Sequence, residues 1–349
     1  MKGVRIVGSG LIGTSIALAL STRGIAVQMT DSDLDRAGLA QDLVGAQELE
    51  QVDLVVLSLP TSQLSQVIKP EYDLNPRSVF IDVGSVKTKP LHEIDLIPGL
   101  SSRFCGSHPM AGREVGGPEA ARADLFQGRA WIYTPTLHCD SDVLTRVVEL
   151  IQTLGATPIR MTPGEHDSAV ALISHLPQIS ASLLAKQLRL GPEAWLSLAG
   201  QGVKDSTRIA ASDPRLWREI IAMNREQVRP LLIKMNEDLS NLISEFSDDD
   251  AIEAFITDGR TGQQRIPGKH GARPRDYTYL PIVLEDKPGQ LAALFHECAQ
   301  AQVNIEDLSI EHSPGQFTGL ITLALSAMDA EKLSAHLATR GWNVHSPRV

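Results

Sequence analysis

Three glycines near the N-terminus have the spacing that lets a backbone approach a pyrophosphate. Gly8, Gly10 and Gly13 form a G-x-G-x-x-G motif directly after an apolar run and directly before an apolar helical pattern. In this context the first glycine permits a tight turn, the second leaves room for phosphate, and the third lets helix and sheet pack closely. The helix N-terminus at Leu11 and Ile12 would offer unpaired amides to the phosphates.

A carboxylate follows at the position that selects between two dinucleotides. Asp31 ends the second apolar run, where it can accept hydrogen bonds from both ribose hydroxyls of NAD and would repel the 2'-phosphate of NADP. No arginine adjoins Asp31 in the sequence, so the motif favours NAD. Residues that follow the third and fourth apolar runs should line the nicotinamide half of the same crevice. They are Leu59, Pro60, Thr61, Gly84 and Ser85.

One histidine has the sequence surroundings of a general base. Pro109 restricts His108 to an extended conformation, and the flanking Gly106 and Gly112 would let a ligand come close to the backbone. The unperturbed pKa of histidine, near 6.5, suits the removal of a hydroxyl proton at neutral pH. For this residue taken alone, a surface-loop histidine without a catalytic role is the alternative interpretation.

An ordered series of motifs resembles the prephenate and arogenate dehydrogenases, and the resemblance covers nearly the whole chain. The motifs are residues 3–13, 82–87, 106–112, S-H-L-P at 174–177 and D-S-T-R-I-A at 205–210, followed by Ser212, Asp213, Pro214 and Trp217. Membership of this family would make His108 the acceptor of the ring hydroxyl proton. It would give Ser85 the role of orienting that hydroxyl and the nicotinamide, and Arg208 the role of binding a substrate carboxylate.

The same resemblance implies the reaction and the substrate contacts. The reaction would be an NAD-dependent oxidative decarboxylation of prephenate in tyrosine biosynthesis, driven by aromatisation, with His175, Gln178 and Trp217 near the substrate. Many members have a second histidine where this sequence has Gln178. Glutamine can donate a hydrogen bond but cannot carry positive charge, which weakens the case for a pyruvyl side chain and leaves arogenate as an alternative. For Arg208, a salt bridge that caps a helix is the structural alternative.

The hydrophobic pattern predicts the elements that would position these residues. Short β-branched runs alternate with amphipathic stretches, which predicts an α/β fold with a Rossmann-type doubly wound parallel sheet. The predicted strands are residues 4–7, 25–29, 54–59, 79–83, 130–133 and 158–161. From Gly164 helical patterns replace the strands, over residues 169–188 and 194–198 and from Asp213 to about Phe246.

The long helix predicted after Asp213 indicates an all-helical dimerisation domain. Asp213 followed by Pro214 is a helix-start signal, and Pro230 should bend the helix. Its apolar residues spread over more than one face, so it needs two partners. One face would pack inside the domain and the other against a second subunit, which predicts a homodimer.

The C-terminal region predicts a small separate domain. Residues 257–276 are rich in Gly, Arg, Pro and Lys and read as a surface tether. Strands at 277–285, 303–311, 317–325 and 342–345 and helices at 290–301 and 329–340 give the order βαββαβ of a ferredoxin-like fold. Residues 285–291 and 304–306 resemble the ACT domain, which implies feedback by L-tyrosine at four residues; a domain that only dimerises is the alternative. They are Asp286, Pro288, Gly289 and Asn304.

The predicted domains are residues 1–163 for NAD binding, 164–258 for substrate binding and dimerisation, 259–276 as linker and 277–349 for regulation. The formal net charge of -10 argues against nucleic-acid or anionic-membrane partners. Three separated cysteines fit a reducing cytoplasm. No secretory signal is visible, no apolar run approaches a membrane span, and no metal-ligand cluster is evident.

Two further functions remain open at this level. The first is a non-catalytic amino-acid sensor on a relic dehydrogenase fold, which the joint presence of the glycine motif, Asp31, His108 and Arg208 opposes. The second is a generic hydroxyacid dehydrogenase of similar build, for which the family motifs would be coincidental.

Overall fold

The computed structural model describes residues 2–112, 116–266, 277–312 and 318–348. The chain divides into two units, Met1–Asp238 and Leu239–Val349, and the division falls within a helix. The predicted domain boundaries remain predictions.

A seven-stranded sheet organises the first unit, in the order β2-β1-β3-β4-β5-β6-β7. Its strands are β1 (Gly3–Val7), β2 (Ala26–Thr30), β3 (Leu54–Leu57), β4 (Val79–Asp82), β5 (Phe104–Pro109), β6 (Ala130–Pro135) and β7 (Thr157–Arg160). The helices between them are α1 (Leu11–Ser21), α2 (Leu34–Val44), α3 (Leu64–Leu74), α4 (Thr88–Asp95) and α5 (Ser141–Thr153). All six strands predicted for this region are present, with ends shifted by a few residues.

Helices cover both faces of the sheet, as the doubly wound prediction requires. One core is formed with α1, α2 and α5, and a second core on the other face with α3 and α4. The central strands β3 and β4 are buried along their whole length. Continuous apolar runs of this kind suit parallel strands that helices cover on both sides.

The edge of the sheet beyond β4 differs from the prediction. β5 pairs with β4 in parallel but with β6 in antiparallel fashion, with His108 opposite Ile132. The sheet is therefore not wholly parallel. β5 was not among the predicted strands, and His108 lies near the end of this strand rather than in a loop.

The helical part of the first unit begins after β7. Its helices are α6 (Pro163–Val170), α7 (Leu176–Leu188), α8 (Glu193–Leu196), α9 (Gln201–Thr207), α10 (Pro214–Met223) and, as far as Asp238, α11 (Arg225–Ser244). A π-helical turn at Ala171–His175 joins α6 to α7. Asp213 caps α10 as predicted, accepting from the Arg215 amide at 2.8 Å. The single helix predicted after Asp213 is instead two helices, because α10 ends at Asn224; Pro230 lies inside α11.

One helix is longer and more apolar than the sequence pattern predicted. Among the described residues, Pro163–Leu188 is the one helix whose length and hydropathy would allow it to cross a membrane. Its polar residues His166 and Asp167 are buried and hydrogen-bond to neighbouring elements of the same unit. These contacts place the start of this helix in the packed interior of the protein.

The second unit contains a four-stranded antiparallel sheet in the order β11-β8-β10-β9. Its elements are α12 (Asp249–Gln263), β8 (Thr278–Glu285), α13 (Gln290–Gln300), β9 (Asp307–His312), β10 (Thr318–Leu325), α14 (Ala327–Thr339) and β11 (Asn343–Val344). From β8 onward the order is βαββαβ, which confirms the ferredoxin-like prediction. The predicted tether was wrong over residues 257–263, which belong to α12; residues 267–276 lie outside the described residues.

Candidate active site

The three glycines of the loop between β1 and α1 have different roles. Gly8 has a φ of 106°, and a Cβ there would collide with the Ser58 carbonyl oxygen. A Cβ at Gly13 would collide with the Gly8 carbonyl oxygen, whereas at Gly10 it would meet nothing within 4 Å. Gly8 and Gly13 are therefore required by the fold itself. Gly10 leaves open space at the N-terminus of α1, where it offers no side-chain cap.

Asp31 lies directly after β2 and is tied to the same loop. Its Oδ2 accepts from the Ser9 amide at 2.6 Å, and its Oδ1 accepts from the Asp33 amide at 3.0 Å. Within the described parts of the chain, the buried hydroxyls of Ser9 and Thr14 have no hydrogen-bond partner. Free helix amides, unsatisfied hydroxyls and a carboxylate at the strand end fit a dinucleotide.

The two segments that were predicted to line the nicotinamide half lie close together. A Cβ at Gly84 would lie 2.7 Å from Thr61 Oγ1, so the segments that follow β3 and β4 touch. Ser62 in the first of these segments donates its amide to Glu219 Oε1 of α10 at 2.8 Å. Leu59, Pro60 and Thr61 thus lie between the sheet and the helical part of the unit, and Ser85 is partly buried beside Gly84.

Asp82, which belongs to a buried ion pair, bonds the end of β4 to β5. Lys87 and Asp82 are almost fully buried and paired with each other. Asp82 Oδ1 also accepts from the Ser107 amide at 3.1 Å, and Ser107 Oγ donates to the Asp82 carbonyl at 2.6 Å. These bonds fix the backbone of the residue next to His108. The position of the candidate base is therefore set by its neighbours in the sheet.

His108 begins a chain of hydrogen-bonded side chains. Its Nδ1 lies 2.9 Å from Nε2 of His166, and Nδ1 of His166 lies 2.8 Å from Oδ1 of Asp167. Asp167 also accepts from the backbone amides of Lys87 and Thr88, each at 2.8 Å, at the start of α4. The carboxylate therefore caps one helix and anchors the two imidazoles at once.

Burial keeps the imidazoles of this cluster neutral. It holds the pKa of His108 well below its ordinary value, and His166, Lys87 and His175 act in the same direction. Burial likewise lowers the pKa of His166, and it lowers that of His175 to about 4. At neutral pH all three rings are therefore uncharged and can accept a proton or a hydrogen bond.

The predicted substrate residues His175 and Trp217 join this cluster through Asn224. Asn224 Nδ2 donates to the Asp167 carbonyl at 2.8 Å and lies 3.2 Å from His175 Nδ1. The rings of His175 and Trp217 meet edge to face, with centroids 6.0 Å apart. Gln178, one turn beyond His175, is buried, and its Nε2 lies 3.4 Å from Ser182 Oγ.

Arg208 is exposed and begins the turn Arg208–Ala211, which packs against α7. This helix begins directly after His175 and contains Gln178. The turn therefore approaches the helix that carries the predicted substrate residues. The convergence of Arg208 and His108 on one substrate remains a prediction.

Sequence reasoning missed several residues of the site. Asp82, Lys87 and Ser107 were recognised only as parts of motifs, and His166 was given no role in the reaction. Asp167 and Asn224 were not singled out. Adjacent polar residues at the buried start of an apolar helix were the available signal for His166 and Asp167. In the described parts of the chain no group of three or more His, Cys, Asp or Glu residues could hold a metal ion.

A separate pocket of about 400 Å³ lies in the second unit, between the β8–α13 loop and the edge of the sheet. Asp286, Pro288 and Gly289, which were predicted as regulatory, line it, and Gly289 has a φ of 89°. Ile310 of β9 and Ile321 of β10 supply apolar walls. Asn304 does not line this pocket, and its Nδ2 donates to Glu306 Oε1 at 2.9 Å.

Comparisons with known proteins agree with this arrangement. The family model for the prephenate dehydrogenase nucleotide-binding domain matches residues 16–160, and that for the prephenate dehydrogenase dimerization domain matches residues 162–257. The Streptomyces niveus protein named probable prephenate dehydrogenase NovF is 30% identical over 364 residues, covering 99% of this chain and 100% of its own.

Two solved structures extend the comparison. The prephenate dehydrogenase of A. aeolicus, in complex with hydroxyphenyl propionate and NAD+, has a TM-score of 0.68 and 29% identity, covering 75% of this chain and 97% of its own. Synechocystis arogenate dehydrogenase has a TM-score of 0.60 and 26% identity, covering 75% of this chain and 98% of its own. Both matched domains occur in order here, and the chain is a dehydrogenase that belongs to the prephenate dehydrogenase family.

Proposed function

We propose that this chain catalyses the NAD-dependent oxidative decarboxylation of prephenate to 4-hydroxyphenylpyruvate in tyrosine biosynthesis. The observation that carries the proposal is the position of His108. This neutral imidazole stands near the carboxyl-terminal edge of the dinucleotide sheet and is connected through His166, Asp167 and Asn224 to His175 of the helical region. A base held between a cofactor domain and a second domain suits the oxidation of a secondary alcohol.

NAD is the cofactor of this proposal. The free amides of Leu11 and Ile12 and the open space at Gly10 would receive the pyrophosphate between Gly8 and Gly13. Asp31 would receive the ribose hydroxyls, and the segments at Leu59, Pro60, Thr61 and Gly84 would line the nicotinamide half. When bound, NAD supplies the hydride acceptor.

The side chains of the protein would accept and return the substrate proton and would bind the substrate carboxylate. His108 accepts the proton of the ring hydroxyl as the carbinol carbon loses its hydride, and Ser85 orients that hydroxyl. The ring carboxylate leaves as carbon dioxide and the ring becomes aromatic. His108 returns its proton to the ring oxygen, so no net proton is released. Arg208 would hold a substrate carboxylate through two parallel hydrogen bonds, with Trp217 and His175 as walls.

Arogenate is the second candidate substrate, and Gln178 is the observation that favours it. Gln178 is buried one turn from His175, where a neutral amide offers less attraction to a pyruvyl carboxylate than a cation would. An amino group on the substrate side chain would suit such an environment better. Prephenate is placed first because NAD use in this family is associated more often with prephenate.

The pocket at Asp286, Pro288 and Gly289 is proposed as the site of feedback by L-tyrosine in an ACT-type domain. Its volume of about 400 Å³ suits an amino acid, and the first turn of α13 presents backbone amides beside Gly289. We also propose a cytoplasmic homodimer. Exposed apolar side chains such as Leu172, Ile173 and Ile243 would be covered by a second subunit.

NADH formation by the purified chain tests these assignments. The absorbance of NADH would be followed with prephenate and with arogenate, each with NAD or NADP and each with or without L-tyrosine. Faster turnover of prephenate with NAD, slowed by tyrosine, is the expected result. Faster turnover of arogenate would reverse the substrate assignment, and an unchanged rate with tyrosine would remove the effector. No turnover of either substrate would favour the non-catalytic sensor or a different hydroxyacid.

A further inference from the structure

The carboxylate of Asp167 determines which nitrogens of the neighbouring rings carry hydrogen. Burial opposes its ionisation, but hydrogen bonds from His166 and Thr88 outweigh burial and keep the pKa of the carboxyl below its ordinary value. An ionised carboxylate only accepts hydrogen bonds. The atom of His166 that faces it, Nδ1 at 2.8 Å, must therefore carry a hydrogen. In the neutral ring, Nε2 of His166 is then an acceptor.

The tautomer of His166 in turn fixes the tautomer of His108. Nδ1 of His108 lies 2.9 Å from Nε2 of His166, and because that atom is an acceptor, Nδ1 of His108 is the donor. A neutral imidazole carries one hydrogen, so Nε2 of His108 carries the lone pair. His108 is thus held in the tautomer that can take a proton at Nε2.

We propose that His166 and Asp167 form a positioning pair that sets the tautomer of His108 and shares the positive charge when His108 accepts the substrate proton. The inference rests on the function proposed above and deepens it. As the substrate O–H bond breaks, an N–H bond forms at Nε2 of His108. The hydrogen on Nδ1 can then move to Nε2 of His166, which leaves the imidazolium beside the Asp167 carboxylate. Both transfers reverse when the proton returns to the product oxygen. NAD, when bound, would supply the acceptor for the hydride.

The charges around the pair favour this role. The buried cation Lys87 is paired with the buried carboxylate of Asp82. His175 is neutral and contacts the cluster through Asn224. Asp167 is held by backbone amides and by His166, and no described residue forms a salt bridge with it other than His166. Its negative charge therefore remains available to stabilise an imidazolium. Without that charge, burial would make an imidazolium unfavourable at this site.

Three variants test the pair through the rate and its pH dependence. His166→Ala should lower kcat roughly 10- to 100-fold, the cost typical of losing a partner that orients a metal-bound histidine, with little change in NAD affinity. His166→Gln should recover part of that loss, because its amide oxygen can accept from Nδ1 of His108. Asp167→Asn should lower kcat and move the acidic limb of the kcat/KM profile to lower pH. The exposed His92→Ala is the matched control.

The outcomes separate this proposal from the one on which it rests. Wild-type kcat in His166→Ala, equal losses in His166→Ala and His166→Gln, or an unmoved acidic limb in Asp167→Asn would each overturn the pair. A merely structural role would lower the rate without moving the limb, and NAD binding by each variant shows whether the fold is retained. If the unchanged chain turns over neither prephenate nor arogenate, the proposed function fails instead.

Discussion

At the scale of single residues, the chemistry of this site depends on neutral imidazoles and on an ionised carboxylate. Burial lowers the pKa of His108, His166 and His175, while hydrogen bonds keep Asp167 ionised. The types and spacing of Gly8, His108 and Arg208 could be recognised in the sequence. The partners of His108 could not be recognised, because α6 is distant from β5 in the sequence and meets it only in the folded protein.

The proposed carboxylate contact of Arg208 is testable by kinetics. Arg208→Ala should raise the KM for prephenate by about 10- to 100-fold or more, because a bidentate charge-assisted pair contributes about 1.5–3 kcal/mol. The measurement is initial-rate kinetics at saturating NAD. Arg189→Ala, at the exposed end of α7, is the matched control. A KM for Arg208→Ala equal to that of the control would remove this residue from substrate binding.

The choice of cofactor should depend on one carboxylate. Asp31→Ser should reduce the ratio of kcat/KM for NAD over NADP by about 10-fold or more, because it removes the acceptor of the ribose hydroxyls and the repulsion of a 2'-phosphate. Asp35→Ser, an exposed position on α2, controls for a general loss of negative charge. If both variants keep the wild-type ratio, Asp31 does not select the cofactor.

At the scale of elements, the sequence predicts the strands that have a clear apolar pattern. It does not predict β5, the strand that contains His108. β1, β3 and β4 are apolar and β-branched, so their pattern is clear. β5 contains Gly106, Ser107 and Pro109, residue types that are rare in strands. Tertiary packing overrides that preference. A Cβ at Gly106 would lie 2.5 Å from Thr134 Oγ1 and 2.8 Å from Leu91 Cδ1, so any other residue would force these side chains to move.

The division of the predicted long helix has a similar cause. Asn224 ends α10, and its side chain donates to the Asp167 carbonyl and contacts His175. Asparagine is only mildly unfavourable in a helix, so nothing in the local sequence requires a break there. The contact that explains it lies with residues far away along the chain. Pro230, the more obvious signal, lies inside α11.

The loop between β1 and α1 gives a prediction at this scale. Gly8 and Gly13 are required by the packing of the fold, whereas Gly10 leaves space for the cofactor. Gly13→Ala should destabilise the protein by about 1–3 kcal/mol, since its Cβ would press on a backbone oxygen. Gly10→Ala should leave the thermal midpoint almost unchanged and weaken NAD binding. Thermal unfolding and NAD titration of both variants provide the measurement. Loss of stability at Gly10 with unchanged NAD affinity would contradict this division.

At the scale of the whole molecule, the first unit assembles its site from segments that are far apart in sequence. β5 supplies His108, α6 supplies His166 and Asp167, and Asn224 follows α10. Three neutral histidines close together make this arrangement sensitive to acid. The unfolded chain binds their protons near pH 6.5, as free histidine does, whereas the folded chain resists protonation.

Stability should therefore fall as the pH is lowered from about 6.5 towards the folded pKa of about 4 at His175. For a folded pKa that is depressed in this way, the unfolded state binds more protons below pH 6.5. His175 alone would cost about 2 kcal/mol at about pH 5. Urea midpoints at about pH 7 and about pH 5 measure the effect, and His175→Gln should reduce the difference. An equal difference in that variant would exclude His175 as a contributor.

The most direct test of the proposed function is the turnover of prephenate by His108→Asn compared with the unchanged chain. Loss of the base should lower kcat roughly 100- to 10,000-fold, while the affinity for NAD, measured separately, stays close to that of the unchanged protein. A variant that binds NAD and still reduces it at the original rate would contradict the assignment of His108 as the base.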